Sequence, residues 1–452
     1  MNCKVRISEL TEEMLETLSR LVQYNSVEGE ALPGMPFGQG PADVLKEALQ
    51  IAGEMGFETR NLDNYCGYAQ IGSGEEIIGV VAHLDIVPAG EGWNTDPFCL
   101  TRIGDEVFGR GVSDDKGAAV ASLYALKLLQ ESGIPLNKRI RLILGCNEET
   151  GSRCMAHYNE VEEPVTCGFT PDGEFPGIHG EKGLLRMTAF SKKTQILSMN
   201  GGFVGNAVCS RCTTVVPSGV VDVRRLEEAL TGTALEEYKV TEENGAITIY
   251  AQGTAAHAST PLLGVNAAGC TMQALQEAGM KDDFVEYYNS HIGTACDGAG
   301  YGRKIGDDYG ELTLNNGIVK TKDGQISCSL DCRVPVTYNE EQIRALAEPY
   351  LEDAQGRTQI NEIGKPLFYP GDSPLAQSLY NAYVEVTGDE SHKPMVIGGG
   401  TYAKSIPGII AFGCEWPEND NHIHDANEKL KIEELKLQTE IYVQAVKNLL
   451  EQ

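Results

Sequence analysis

The sequence predicts an α/β protein: a mixed, mostly parallel sheet flanked by helices, with an inserted α+β domain. Three observations predict it. Over roughly the first 175 residues, short apolar runs alternate with helical periodicities, as in β-α-β units that build a parallel sheet. After about Phe175 longer alternating strands take over. Near Leu375 the chain returns to helix, apolar strand and helix, so 1–176 and 385–452 read as one domain interrupted by 177–384.

The elements follow in order. Leu10, Met14, Leu18 and Leu21 recur at helical spacing, as do Val44, Leu45, Ala48, Leu49 and Ala52, with Gly56 as a stop. Ile77–Ala82 is a continuous apolar run, suited to a strand buried on both faces. Gly117–Leu129, rich in Ala and Leu, reads as a helix; Arg139–Gly145 and Thr166–Thr170 read as the next strands. In the insert, Ile247–Ala251, Glu311–Lys320 and Ile326–Arg333 read as strands, and Pro261–Ala278 and Asn339–Leu351 as helices. The closing elements are a strand at Ile409–Gly413 and a helix at Leu430–Leu450.

Composition narrows the function. Acidic residues outnumber basic ones 65 to 36, a formal net charge of -29. Such a surface repels phosphate backbones and anionic membranes, so neither nucleic acid nor membrane is expected as a partner. Met1–Ser8 carries Lys4 and Arg6 but no following apolar segment, so no export signal is expected. The 13 cysteines are odd in number and scattered, which suits reduced thiols in a cytoplasm. Cys209-Ser-Arg-Cys212 has no second such pair and no nearby histidine, so it is set aside as a metal or redox motif.

Chemistry gathers where the apolar strands end, the place at which open α/β sheets form sites. Ile77–Ala82 runs into His83-Leu84-Asp85, Arg139–Gly145 into Asn147-Glu148-Glu149, and Thr166–Thr170 into Pro171-Asp172-Gly173. Between them lies the glycine-rich turn Gly109-Arg-Gly-Val-Ser-Asp114-Asp-Lys-Gly117, opening a helix. One such residue at a strand end is usually structural; ionisable residues at equivalent places in four successive units are not. Imidazole and carboxylate donors suit Zn2+, and less tightly Mn2+ or Co2+. One histidine with four or five acids can neutralise two divalent ions, and a second histidine is then expected. Asn421-His422-Ile423-His424-Asp425-Ala426-Asn427-Glu428 supplies it, and the residues alone leave His422 and His424 both open.

The segments HLDIVPAGEGWNTDPF, GRGVSDDKG, NEETGS, PDGEFP, GTAAHASTP and HDANE together resemble the successive motifs of the zinc-dependent exopeptidase and deacylase family that includes aminoacylase, carboxypeptidase G and acetylornithine deacetylase. The chain length and GGGTYAK, Gly398–Lys404, are most similar to the peptidase V type dipeptidases. The resemblance implies a two-metal centre with Asp114 bridging, His83 and Asp172 completing one site, and Glu149 and His424 the other. The family spacing HxxNE selects His424. It implies Glu148 as the base that takes a proton from a metal-bridging water, and Asp85 as the acceptor that fixes the His83 tautomer. Two such metals about 3.5–4 Å apart can ionise one water and polarise a carbonyl together.

The same resemblance makes the insert a lid. From it His257 would reach the oxyanion, and Arg333 the free carboxylate of the substrate, helped by Asn206 and the amides of Gly398, Gly399 and Gly400. The segment around Asn206 fits the family pattern only loosely. It further implies a cis peptide between Asp114 and Asp115. The expected function is hydrolysis of the amide bond of dipeptides by a monomeric cytoplasmic metallopeptidase. The alternatives are an N-acyl-amino-acid deacylase with the same machinery and, from another class, an inactive binding protein on the same scaffold.

Overall fold

The structure, a computed structural model, describes residues 3–298, 305–348 and 351–452. It divides into two units: Met1–His179 with Tyr369–Met395 and Gly400–Gln452, and Gly180–Phe368 with Val396–Gly399. The long segment of the insert therefore runs Gly180–Phe368, where the sequence predicts 177–384, and Val396–Gly399 rejoins it. The helix Pro374–Thr387 belongs to the first unit because it packs on the last helix, Ile432–Leu450, and its Tyr383 stacks on Phe175.

The first unit is built around Ile77–His83, buried along its whole length. It pairs in parallel with Arg139–Gly145 on one side and Cys167–Thr170 on the other. Ile409–Ala411 extends the parallel run beyond Cys167–Thr170. On the far side of Arg139–Gly145 the pairing turns antiparallel, through Cys66–Gly72 and Glu58–Leu62. That hairpin was not read from the sequence. Its outer strand, Glu-Thr-Arg-Asn-Leu, is an exposed edge with no apolar alternation. Its turn holds Asp63 and Asn64 at φ 52° and 58°, left-handed values that Asp and Asn tolerate better than most side chains.

Side-chain alternation directs the strands to two helical layers. Leu142 and Leu144 lie with Leu21, Ala48, Ile51 and Leu123 from the helices Cys3–Val22, Gln39–Glu54 and Lys116–Ser132. Arg141 on the opposite face meets the Tyr158 hydroxyl of the helix Arg153–Val161 at 2.9 Å. Parallel pairing in register, His83 beside Gly145, sends His83, the Asn147–Glu149 turn and the Pro171–Asp172 turn out at one end of the sheet. No helix among the described residues is long and apolar enough to cross a membrane.

The second unit is an antiparallel sheet of eight strands, in the order 237–243, 246–252, 211–217, 198–201, 313–322, 325–334, 183–191 and 356–364. Val223–Thr231, Ala267–Glu277 and Asp283–His291 share its core through residues such as Leu226, Met272 and Tyr288. The single helix expected over Pro261–Ala278 is two pieces, a 3-10 turn at Pro261–Leu263 and a helix from Ala267. The Asn266 side chain accepts the Gly269 N–H at 3.0 Å and starts the second piece as an N-cap. The helix expected over Asn339–Leu351 runs Glu340–Ala347 behind an Asn339 capping box; its expected continuation over 349–350 lies outside the described residues.

Candidate active site

Asp114 is the centre of the polar cluster at the strand ends. Its Oδ1 lies 2.9 Å from His83 Nε2 and its Oδ2 2.9 Å from His424 Nε2. Glu149 Oε2 stands 3.2 Å from the same His424 nitrogen. Donor atoms of His83, Asp114 and Glu149 fall within 4.8 Å of one another, and so do those of His83, Glu148 and Asp172. All five ligands expected from sequence therefore converge in the first unit. Glu148 joins them closely enough that geometry alone does not separate it from the ligands. His422 is exposed and bonds through its backbone N–H to Asp420, so His424 is the histidine that reaches the cluster. The Asp114–Asp115 peptide is cis.

Asp85 corrects one expectation. His83 Nδ1 lies 3.0 Å from the Asp85 backbone carbonyl, while the carboxylate stands 3.6 Å away, too far for a hydrogen bond. The carboxylate is engaged elsewhere, accepting the backbone N–H of Glu148 at 3.0 Å and of Glu149 at 3.1 Å. Its contact is thus with the turn that carries two acids, and the carbonyl holds the His83 proton on Nδ1.

These groups fit a divalent metal. With Nδ1 facing a carbonyl, the lone pair of neutral His83 falls on Nε2, toward Asp114. Glu149 Oε1 is buried with no hydrogen-bond partner among the described residues, an oxygen that a cation would satisfy. Hydrogen bonds that His424 donates to Asp114 and then to Glu149 push its ring up to about 11. Burial would lower His83, but the Asp114 and Asp85 carboxylates outweigh it and hold it well above the ordinary imidazole value. Burial would raise Asp114, yet His424 and His83 hold it below the usual carboxylate range. Burial, then the Asp172 charge, push Glu148 well up.

The remaining expected residues lie in or beside the second unit. His257 is exposed; the Ser259 N–H reaches its Nδ1 at 3.3 Å and the Ser259 hydroxyl at 2.7 Å. Nδ1 is thereby the acceptor, which leaves the ring proton on Nε2. Asn206 is also exposed and bonds the same loop through its carbonyl, which accepts Ala258 N–H at 2.9 Å. Arg333 is buried: Nε and Nη2 pair with Asp331 at 2.6 and 3.1 Å, and Nη1 donates to the Gly398 carbonyl at 2.8 Å. Any side chain at Gly398 would meet Ser259, whose Cβ would lie 2.6 Å from the added carbon. Gly399 falls in the second unit with Gly398, and Gly400 in the first.

Three neighbours of the cluster were not read from sequence. Tyr402 stands edge-on to His83, ring centroids 6.2 Å apart. It sits in GGGTYAK, where only the glycines had drawn attention. Glu415, whose own burial and the Asp114 charge push it up to about 8, pairs through backbone with Glu174 and has no sequence signal. Glu428, in HDANE, is fully buried against the Gly111–Asp114 turn.

One prediction follows from the raised imidazoles. The surrounding carboxylates favour the protonated rings of His83 and His424 in the metal-free protein, and only the neutral ring ligates. Metal uptake must expel about two protons per chain, and apparent affinity must climb as pH rises through the neutral range. Titration calorimetry in buffers of different ionisation enthalpy measures this directly; equal heats in all buffers would contradict it.

Comparison with known proteins agrees with this geometry. The sequence pattern of "Peptidase family M20/M25/M40" matches residues 79–448. The chain is 33% identical over 464 aligned residues to Putative dipeptidase YtjP of Bacillus subtilis (strain 168), covering 99% of each protein. Its fold is similar to that of human carnosine dipeptidase 1, at TM-score 0.59 and 16% identity over 100% of this chain and 98% of that one. It is also similar to the M20 family metallo-carboxypeptidase Sso-CP2 from Sulfolobus solfataricus, at TM-score 0.57 and 16% identity over 97% and 100%. The protein is a hydrolase of the metallopeptidase class, and its chain belongs to peptidase family M20/M25/M40.

Proposed function

We propose that the protein hydrolyses dipeptides at a centre of two divalent ions, Zn2+ by donor chemistry. The observation that carries this reading is Asp114, with one carboxylate oxygen toward each of two imidazoles. The dipeptidase name of the Bacillus subtilis relative supports the substrate class. Asp114, His83 and Asp172 would hold one ion, and Asp114, Glu149 and His424 the other. Bound there, such ions supply Lewis acidity toward the scissile carbonyl and acidify water.

The chain's own residues do the rest. Glu148 takes the proton of the attacking water and passes it to the departing amine as the C–N bond breaks. Its burial and the nearby Asp172 charge raise its basicity. His257, its proton on Nε2, donates to the oxyanion of the tetrahedral intermediate. Arg333 has five N–H groups; Asp331 and the Gly398 carbonyl take three, and the remaining two are offered to the substrate carboxylate. Asn206 and the amides of Gly398–Gly400 assist. The 13 free cysteines suit a reducing cytoplasm.

Ligand and base separate by mutation. Glu148→Ala should keep its metal and lose activity by about 10²-fold or more, whereas His424→Ala should lose metal as well. Metal analysis beside kinetics decides it; an emptied Glu148→Ala and a fully loaded His424→Ala would reverse the assignments.

Carboxylate recognition is tested by substrate. Arg333→Ala should lower kcat/KM on a dipeptide about ten- to a hundredfold and spare the C-terminally amidated analogue. Arg333→Lys should fare little better, since an ammonium lacks the planar fork. Equal losses on both substrates would assign Arg333 to the fold of the insert.

A further inference from the structure

Glu428 ends the HDANE segment and has no part in the chemistry above. It is 0% exposed, and its partner Arg110 is 1% exposed. Four donors converge on its two oxygens. Oε1 accepts the backbone N–H of Ser113 at 2.9 Å and of Asp114 at 3.1 Å. Oε2 accepts the N–H of Gly111 at 2.9 Å and Arg110 Nη1 at 2.8 Å. A buried carboxylate so surrounded is satisfied by charge-assisted bonds, and its removal strands every donor at once.

The contacts run both ways. Arg110 Nη2 donates to the Asp425 carbonyl at 3.1 Å, one residue past His424. Gly109 N–H reaches the Glu428 carbonyl at 3.2 Å, and Ser113 Oγ the Lys429 carbonyl at 2.7 Å. The His424 turn has little regular structure of its own: His424 and Asn427 sit at φ 65 and 66, a region that non-glycine residues enter only when held there. Asn427 Oδ1 receives the Asn94 N–H at 2.8 Å. These contacts, beside the short ladder of Lys429–Lys431 on Glu106–Phe108, are what tie the His424 turn to the Asp114 turn.

We propose that Glu428 is a positioning residue of the metal centre: it clamps the Gly111–Asp114 backbone to the His424 turn, so that Asp114 presents one oxygen to each imidazole. The inference rests on the reading of Asp114 and His424 as ligands. A glutamate serving the fold alone would affect melting and leave the affinity of the folded protein for metal untouched.

The test is Zn2+ affinity of metal-free protein, measured by competition with a chromophoric chelator, beside circular dichroism and thermal melting. Glu428→Gln keeps the shape but turns an N–H against donors. It should stay folded, bind one of its two ions about 10–100-fold more weakly, and need more Zn2+ for half-maximal activity with KM for peptide unchanged. Folded Glu428→Gln with wild-type affinity would overturn the proposal. Should that variant not fold, Arg110→Lys keeps the charge but loses the second arm to Asp425. Its expected weakening is about three- to tenfold, the lower end of such outer contacts, and unchanged affinity would overturn the proposal equally. Wild-type protein that takes up no Zn2+ would sink the ligand reading itself, and the inference with it.

Discussion

The structure of the centre depends on one carboxylate shared between two imidazoles. Asp114 faces His83 and His424 at 2.9 Å each, and around it stand Glu148, Glu149 and Asp172, with Glu415 close enough for its charge to be felt. So many acids at the mouth of one sheet repel one another unless positive charge is brought among them. Two imidazoles supply part of it. The orphaned Glu149 Oε1 and Glu148, raised by burial and the Asp172 charge, are groups that cations at the shared carboxylate would satisfy.

The fold meets this constraint by geometry at short range and by buried clamps at long range. Parallel pairing delivers His83, the Glu148–Glu149 turn and Asp172 to one end of the sheet with no further device. Asp85 then orders the acidic turn by accepting two successive amides. Asp114 and His424 lie on turns instead, beyond the short ladder that pairs Lys429–Lys431 with Glu106–Phe108. There the chain uses a buried ion pair with every donor matched, Arg110 with Glu428. Such a pair adds little net stability when set against an apolar substitute, because desolvation offsets its attraction. What it supplies is a defined geometry.

How much was legible in the sequence follows the same division. The strands Ile77–His83 and Arg139–Gly145 are continuous apolar runs ending in ionisable residues, and local pattern found both the elements and the polar residues that gather at their tips. The Glu58–Leu62 edge strand carries no alternation, although Asp63-Asn64 marked its turn. The break at Gly264–Asn266 was likewise marked, by a glycine and an N-cap asparagine. Nothing local marks Glu428 as the partner of a turn 314 residues away in sequence, or shows that the Asp85 carboxylate serves backbone amides while its carbonyl serves His83. Those roles exist only once the chain has closed.

The central claim is that Asp114 is shared by two metal ions. Electron paramagnetic resonance of protein reconstituted with Mn2+ tests it most directly, because two Mn2+ ions joined through one carboxylate are magnetically coupled and isolated ions are not. The account predicts two Mn2+ per chain with a coupled spectrum in the wild type, and loss of that coupling in Asp114→Ala. A single ion per chain, or two ions with the spectrum of isolated Mn2+, would contradict it.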